Sequence, residues 1–288
     1  MKYFEYVEPK TLGDACQFLA SHDEAKILAG GVSMVVLLKN NLIAPSHLVN
    51  LKTVPGLDRI EWDDQEGMRI GALNRHRDIL FSPLVKKYFP ILAEAASKIA
   101  TPPIRNLGTI GGNISHAEPS ADFPPALIAL NATLKLVSPQ GERTVPIEEF
   151  FTDYYENVLG HDEVLAEIQI PPSPGRSGGT YIKLDKITNS IAIVGIAAII
   201  SLDEQGICTN VGVGLGGVAS TPLKVEKAKE ILTGKKIEET HMDQVAREAQ
   251  SIADPITNVY ATAEYRKEMV YVLTRRALQE SLKRALGT

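Results

Sequence analysis

The stretch from Arg105 to Asp122 reads RNLGTIGGNISHAEPSAD. Gly108, Gly111 and Gly112 fall within five residues, Asn113 follows, and a polar segment closes on Asp122 ahead of the apolar run FPPALIALNATLKLV. Glycines admit positive φ and let a backbone come close to a bulky anion. Successive N–H groups in such a turn form an anion-binding concavity. The loop is therefore expected to hold one side of a nucleotide pyrophosphate, although an isolated Gly-Gly pair would mean no more than a tight turn feeding a helix. A second loop of the same kind, Ala29-Gly30-Gly31-Val32-Ser33, lies upstream. The strand KILAGG runs into it and a helix from Ser33 to Asn40 follows. Strand, glycines, helix is the order that aims backbone donors and a helix N-terminus at one point. Neither GxGxxG nor GKS/GKT is present, so the dinucleotide fingerprint and the P-loop are disfavoured.

The rest of the chain bounds the reading. Its 288 residues suggest about two domains, and 44% hydrophobic with 23% charged residues is ordinary for a globular chain. A net charge of −5 argues against a nucleic-acid partner, which wants a basic face. The apolar run Ile191 to Ile200 is too short to span a bilayer, and MKYFEYVEPK has no apolar signal-peptide core. Cys16 and Cys208 are far apart and form no disulfide, zinc or iron–sulfur spacing. A cytoplasmic, reduced protein is expected.

In order, Thr11 is expected to cap a helix to about Ser21 with Asp14 as the return partner, and 47–51 to form a strand. Pro55-Gly56 marks a turn and a boundary. A hairpin turns around Gln65-Glu66-Gly67, Asn74 is expected to cap a helix, and Pro83 interrupts it. A helix from Ile91 to Ala100 ends at Thr101-Pro102-Pro103. Phe123 to Leu130 reads as a helix with Pro124 and Pro125 in its first turn. Sheet is expected at 133–138, 143–146 and 163–170. PPSPGRSGG (171–179) reads as a loop and a second boundary. Two runs, 191–202 and 207–218, read as strands buried on both faces, and helices follow at about 222–232, 238–253 and 261–286.

No residue set for catalysis emerges. The six histidines make no i,i+4 pair, and neither HExxH nor GxSxG occurs. His116 reads as a solvated loop histidine, and the two cysteines as small apolar residues. With no nucleophile, metal cluster or acid–base pair, the chemistry should belong to a bound cofactor.

AGGVS (29–33), followed by IATPPIRNLGTIGGNISHAEPSADFPPALIALNA (99–132), resembles the flavin subunit of the molybdenum hydroxylases, the family of xanthine dehydrogenases, aldehyde oxidoreductases and aerobic carbon monoxide dehydrogenases. The resemblance covers essentially the whole chain. It implies an α+β protein: a two-lobed α/β FAD-binding domain of the vanillyl-alcohol-oxidase (PCMH) type, with lobes at 1–56 and 57–175, then a C-terminal domain of small antiparallel sheet and helices at 176–288. It implies that Ile27, Leu28, Ala29, Gly30, Gly31, Val32, Ser33 and Met34, with Thr109, Ile110, Gly111, Gly112 and Asn113, wrap the FAD pyrophosphate. Asp122 would bond the adenosine side, Ile99 would lie near the isoalloxazine, and Leu165 and Lys183 would line the flavin. Two plainer readings stand beside these: Lys183 as a solvated strand lysine and Asp122 as a helix N-cap ahead of Phe123. On this basis Gly111→Val or Gly30→Val is expected to block FAD while sparing the fold.

The resemblance implies partners as well. These are a small subunit with two [2Fe-2S] clusters and a large molybdopterin subunit that oxidises the substrate, in a heterotrimer doubled into a dimer. This chain would take electrons from the clusters to FAD and on to a soluble acceptor. Relatives often carry arginines after the position of Lys183. Here the stretch is LDKITNSIAIVG, with Lys186 its only further cation, an altered charge that counts against NAD among the candidate acceptors NAD, oxygen and quinone. The alternatives are a self-contained FAD-dependent oxidoreductase of the same fold and a non-catalytic nucleotide-binding scaffold.

Overall fold

The computed structural model describes residues 2–287. The chain begins with a three-stranded parallel sheet. Its strands β1 (Glu5–Val7), β2 (Ala25–Leu28) and β3 (His47–Asn50) lie in the order β1-β3-β2. Helix α1 (Leu12–Ala20) connects the first two and α2 (Val32–Lys39) the last two, since parallel strands need a crossover. Thr11 caps α1 as expected, its hydroxyl accepting from the Asp14 amide while Asp14 returns to the Thr11 amide.

A five-stranded antiparallel sheet follows, ordered β4-β5-β10-β6-β7. Its members are β4 (Ile60–Asp63), β5 (Gly67–Gly71), β6 (Thr133–Ser138), β7 (Gly141–Pro146) and β10 (Val164–Ile170). Between β5 and β6 run the helices α3 (His76–Phe81), α4 (Pro83–Tyr88), α5 (Pro90–Lys98), α6 (Pro102–Arg105), α7 (Ile110–His116) and α8 (Phe123–Ala129). A two-stranded ribbon of β8 (Phe151–Asp153) and β9 (Glu156–Asn157) precedes β10. Asn74 does not cap α3. It is buried, and its Nδ2 donates to the carbonyls of Arg59 and Gly71 at 2.9 Å, tying the β5 turn together. Asp78 closes the helix start instead, reaching back to the Arg75 amide at 3.2 Å. Pro102 and Pro103 end nothing: α5 has already stopped at Lys98, and they open α6, where a missing N–H costs nothing.

The last part is a four-stranded antiparallel sheet, β11 (Arg176–Leu184), β12 (Val194–Leu202), β13 (Cys208–Gly216) and β14 (Leu223–Lys224), with α9 (Lys227–Leu232), α10 (Glu239–Ile252) and α11 (Ala263–Leu286). Every residue of β12 is buried. Ala197 and Ile199 face the core shared with the middle helices, while Ile196, Ala198 and Ile200 face the core shared with α10 and α11. The period-2 pleat thus feeds two cores at once, which explains an unbroken apolar run. In β13 the glycines are the reciprocal signal. A Cβ on Gly212 would stand 1.9 Å from the Ala129 carbonyl oxygen, and one on Gly214 2.1 Å from that of Pro125, because α8 lies directly on the strand.

The loop expected at 171–179 is shorter than its composition suggests, since β11 begins at Arg176. A Cβ on Gly178 would meet the Ala285 amide nitrogen and the Ser281 carbonyl oxygen at 2.3 Å. Its glycine serves the approach of α11 rather than a turn. The helix expected from 222 begins only at Lys227, after the short strand β14.

Candidate functional site

A cavity of about 640 Å³ opens between the parallel sheet, the start of α7 and the inner end of β10. That size lies within the ~300–1,000 Å³ usual for small-molecule sites. Of the residues expected from the sequence, Ile27, Ala29, Gly30, Gly31, Val32, Ser33, Met34, Ile99, Thr109, Gly111, Gly112, Asn113, Asp122 and Leu165 all line it. Leu28, Ile110 and Lys183 do not. Leu28 supports the Gly31 turn from behind, Ile110 is fully buried, and Lys183 stands behind Asp122.

The two glycine loops do different work. Gly31 adopts φ +79° and turns the chain from β2 into α2. No amide from Gly30 to Met34 donates to another group among the described residues, and no side chain caps α2. Five consecutive N–H groups, with the positive end of the helix dipole, are thus left free beside the cavity. The second loop departs from expectation. Gly108, Gly111 and Gly112 are not at positive φ, and TIGGN is mostly the first turns of α7. Its early amides already have acceptors: Ile110 donates to the Asn74 carbonyl at 2.9 Å, Gly111 to that of Ala72 at 2.8 Å, and Gly112 to Thr109 Oγ1 at 3.2 Å. A Cβ on Gly111 would lie 2.5 Å from Ala72 Cβ, and one on Gly30 would lie 2.1 Å from the Leu107 carbonyl oxygen. These two glycines let the protein approach itself. The expectation that valine there spares the fold is therefore wrong.

Gly112 differs, since a Cβ there would press only on Thr109 Oγ1, at 2.9 Å, with Ala29 Cβ at 3.9 Å. Asn113, next in line, has a buried Oδ1 without a partner among the described residues. The other orphaned buried atom in the cavity wall is His76 Nδ1, on a residue that sequence reasoning missed. Arg105 was missed as well. Its guanidinium donates to the carbonyls of Ile99 at 2.7 Å and Ala100 at 2.8 Å, and so fixes a wall segment in which Ala100 holds φ +38°. A histidine opening a helix and an arginine closing one carry no local sign of such roles.

Asp122 has neither of its plain roles alone. It occupies the N-cap position of α8 without accepting a cap bond. Its Oδ1 accepts from the Tyr181 hydroxyl at 2.6 Å and its Oδ2 from Lys183 Nζ at 3.0 Å. Lys183 is not solvated, because its side chain is 2% exposed. Burial raises the Asp122 pKa, opposed by the Lys183 charge and by the hydrogen bonds from Tyr181 and Lys183. His116 is half-buried on the cavity rim, not a free loop residue, and burial lowers its pKa against the opposing charge of Glu118.

Residues 2–173 match the FAD binding domain in molybdopterin dehydrogenase, and residues 180–281 match the CO dehydrogenase flavoprotein C-terminal domain. The chain belongs to the flavoprotein subunits of the molybdenum hydroxylases. It is 36% identical to the alpha subunit of the 6-hydroxypseudooxynicotine dehydrogenase complex of Paenarthrobacter nicotinovorans, over 99% of this chain and 96% of that one. It is 35% identical to the carbon monoxide dehydrogenase medium chain of Hydrogenophaga pseudoflava, over 96% of each. A solved structure of the carbon monoxide dehydrogenase of H. pseudoflava superposes with a TM-score of 0.94 at 35% identity, covering 98% of each chain. Quinoline 2-oxidoreductase from Pseudomonas putida 86 gives 0.91 at 29% identity, covering 99% of this chain and 100% of that one.

FAD is the cofactor of this family's medium subunit, and the cavity fits it. The free amides of 30–34 suit a pyrophosphate, and Ile27, Ile99 and Leu165 give apolar walls. No helix among the described residues of the flavoprotein subunit is long and apolar enough to cross a membrane.

The same wall carries a pH signature. Burial, and then the nearby Arg105 charge, lower the His76 pKa from 6.5 to about 4. Above pH 6.5 the folded and unfolded chains both hold this histidine neutral. Below it, the unfolded chain takes up a proton that the folded one refuses, so stability falls with pH, by ~1.4 kcal/mol per unit. In the cofactor-free protein this group should remove roughly 3 kcal/mol between pH 6.5 and 4. Urea midpoints of wild type and His76→Gln across that range should diverge toward acid, with the wild type falling faster. Parallel curves would refute the buried neutral state.

Proposed function

We propose that the flavoprotein subunit holds FAD in this cavity and relays electrons. They would come from the two [2Fe-2S] clusters of a small partner and pass to a soluble acceptor, while a large molybdopterin partner oxidises the substrate. The assembly would be a dimer of heterotrimers in the cytoplasm, where buried thiols such as Cys16 and Cys208 stay reduced. The observation that carries the reading is the row of five unpaired amides from Gly30 to Met34, at the N-terminus of α2 and beside the cavity that gathers the other expected contacts.

Bound FAD would supply the exchange between one-electron and two-electron chemistry. The chain's own residues bind and exclude. The α2 terminus would face the pyrophosphate, Gly112 and Asn113 would close its other side, and Arg105 would hold the Ile99–Ala100 wall that lies near the flavin. The two glycine loops, in lobes 1–56 and 57–175, would grip the cofactor from both sides, with 176–288 packed behind.

The test is spectroscopic. The purified chain mixed with FAD should show flavin bands, no iron–sulfur absorbance and no substrate hydroxylation. Activity should appear only when both partner subunits are added. Failure to take up FAD removes the site reading. Substrate oxidation by the metal-free chain alone removes the relay reading.

A further inference from the structure

His76 opens α3 against the cavity, its amide bonded to the Gly108 carbonyl at 2.9 Å and its ring tilted on Phe123 with centroids 5.4 Å apart. Only 4% of the residue is exposed. Nδ1 is fully buried and has no hydrogen-bond partner among the described residues. Among the described residues Nε2 has no partner either, yet it is not sealed as Nδ1 is; His76 lines the cavity, and Nε2 is the ring nitrogen left able to reach it. Gly108 makes the room: a Cβ at that position would stand 2.6 Å from Nε2.

The two ring nitrogens are not equivalent in this setting. A neutral imidazole carries one proton. On Nδ1 it would be a buried N–H with nothing to receive it, the rarer and costlier kind of orphan. On Nε2 it can be directed into the cavity, leaving only a lone pair buried. The cationic form, with both nitrogens protonated, is opposed by burial and by Arg105.

We propose that His76 is a neutral hydrogen-bond donor to FAD, its Nε2–H directed at an acceptor atom of the bound cofactor. This rests on the cavity being the FAD site. The residue adds a directional donor in a wall otherwise made here of Ala72, Ile104 and Gly108. It is a binding residue and moves no proton.

The test uses the full chain with FAD. His76→Phe fills the space without a donor, and His76→Gln keeps an N–H near the Nε2 position. Fluorescence titration should give a Kd about 3- to 10-fold weaker for His76→Phe, as fits one neutral hydrogen bond, and within about twofold of wild type for His76→Gln. Proton–nitrogen NMR of wild type, which needs no variant to fold, should show the Nε2–H tautomer without FAD and a downfield shift of that proton with it. If ADP competes equally well in wild type and His76→Phe, the acceptor lies on the flavin half. If ADP weakens in step, it lies on the pyrophosphate half. A Nδ1–H tautomer, an Nε2 proton unmoved by FAD, or equal affinities in wild type and His76→Phe would overturn the proposal. Wild type that binds no FAD would overturn the site reading beneath it.

Discussion

Gly111→Val should destabilise the chain by roughly 3 kcal/mol or more, the scale of overpacking and backbone displacement in a core. The reason is local and steric. The α7 start is stitched to the β5–α3 turn by the Gly111-to-Ala72 bond of 2.8 Å, and Ala72 is itself buried. The added Cβ alone would fall 2.5 Å from Ala72 Cβ and 2.8 Å from its carbonyl oxygen, before the two valine methyls are counted. Neither neighbour is the tip of a flexible side chain, so helix and turn must part. Gly112→Ala is the contrasting variant. Its Cβ meets Thr109 Oγ1, which can rotate at the loss of the cap, about 1 kcal/mol. Urea unfolding of the two cofactor-free variants, with flavin content per folded chain, makes the comparison. Gly111→Val should lose folded protein, whereas Gly112→Ala should fold and bind FAD less well. Equal stability of Gly111→Val and wild type would show that the interlock is not rigid.

This contrast shows which parts of the site are written in the sequence. The unit of β2, Gly31 and α2 is legible because strand, turn and helix are contiguous, and a positive φ favours glycine at the turn. The α8 start is legible because two prolines are tolerated only in a first turn. The purpose of Gly111 is not, since its neighbour Ala72 comes from another element and no spacing rule connects them. Gly178 illustrates the same limit. Within PGRSGG it looks like a turn residue, yet it lies in β11 under α11, a contact made by the far end of the chain. A glycine reports that space is scarce or φ is positive, and only the tertiary structure says which. Asn74 shows a related ambiguity: an amide just before a helix can serve as a cap, but here its donors go to the Gly71 carbonyl of the preceding turn and to the Arg59 carbonyl ahead of β4. His76 and Arg105 are more opaque still, because what sets them apart is the missing partner of one and the carbonyl partners of the other.

Lys183→Met should cost roughly 3–5 kcal/mol at neutral pH, the usual penalty for removing one partner of a buried ion pair. The lysine side chain is 2% exposed and that of Asp122 7%. Nζ reaches Asp122 Oδ2 at 3.0 Å and the Lys98 carbonyl at 3.0 Å, so it joins β11 to α5 and to the cavity wall. Without it, the Asp122 carboxylate keeps only the Tyr181 hydroxyl among the described residues. The pH dependence follows from the direction of the Asp122 shift. Burial puts its folded pKa above the unfolded value of 3.8, so the folded chain binds the proton more tightly. Its contribution is most favourable below 3.8 and is lost as pH rises through the folded pKa. Lys183 opposes this loss, and removing it moves the folded pKa higher. The deficit of Lys183→Met should therefore be largest above the folded Asp122 pKa and shrink as pH falls through it toward the unfolded value of 3.8, as Asp122 takes up a proton. Adding Asp122→Asn should recover much of the stability, because a neutral amide can still accept from Tyr181 and no charge is left buried. Unfolding midpoints of the three proteins from pH 8 down toward 4 decide the matter. A loss below about 1 kcal/mol that is the same at every pH would mean that the ammonium reaches water, as a lysine on a strand ordinarily does.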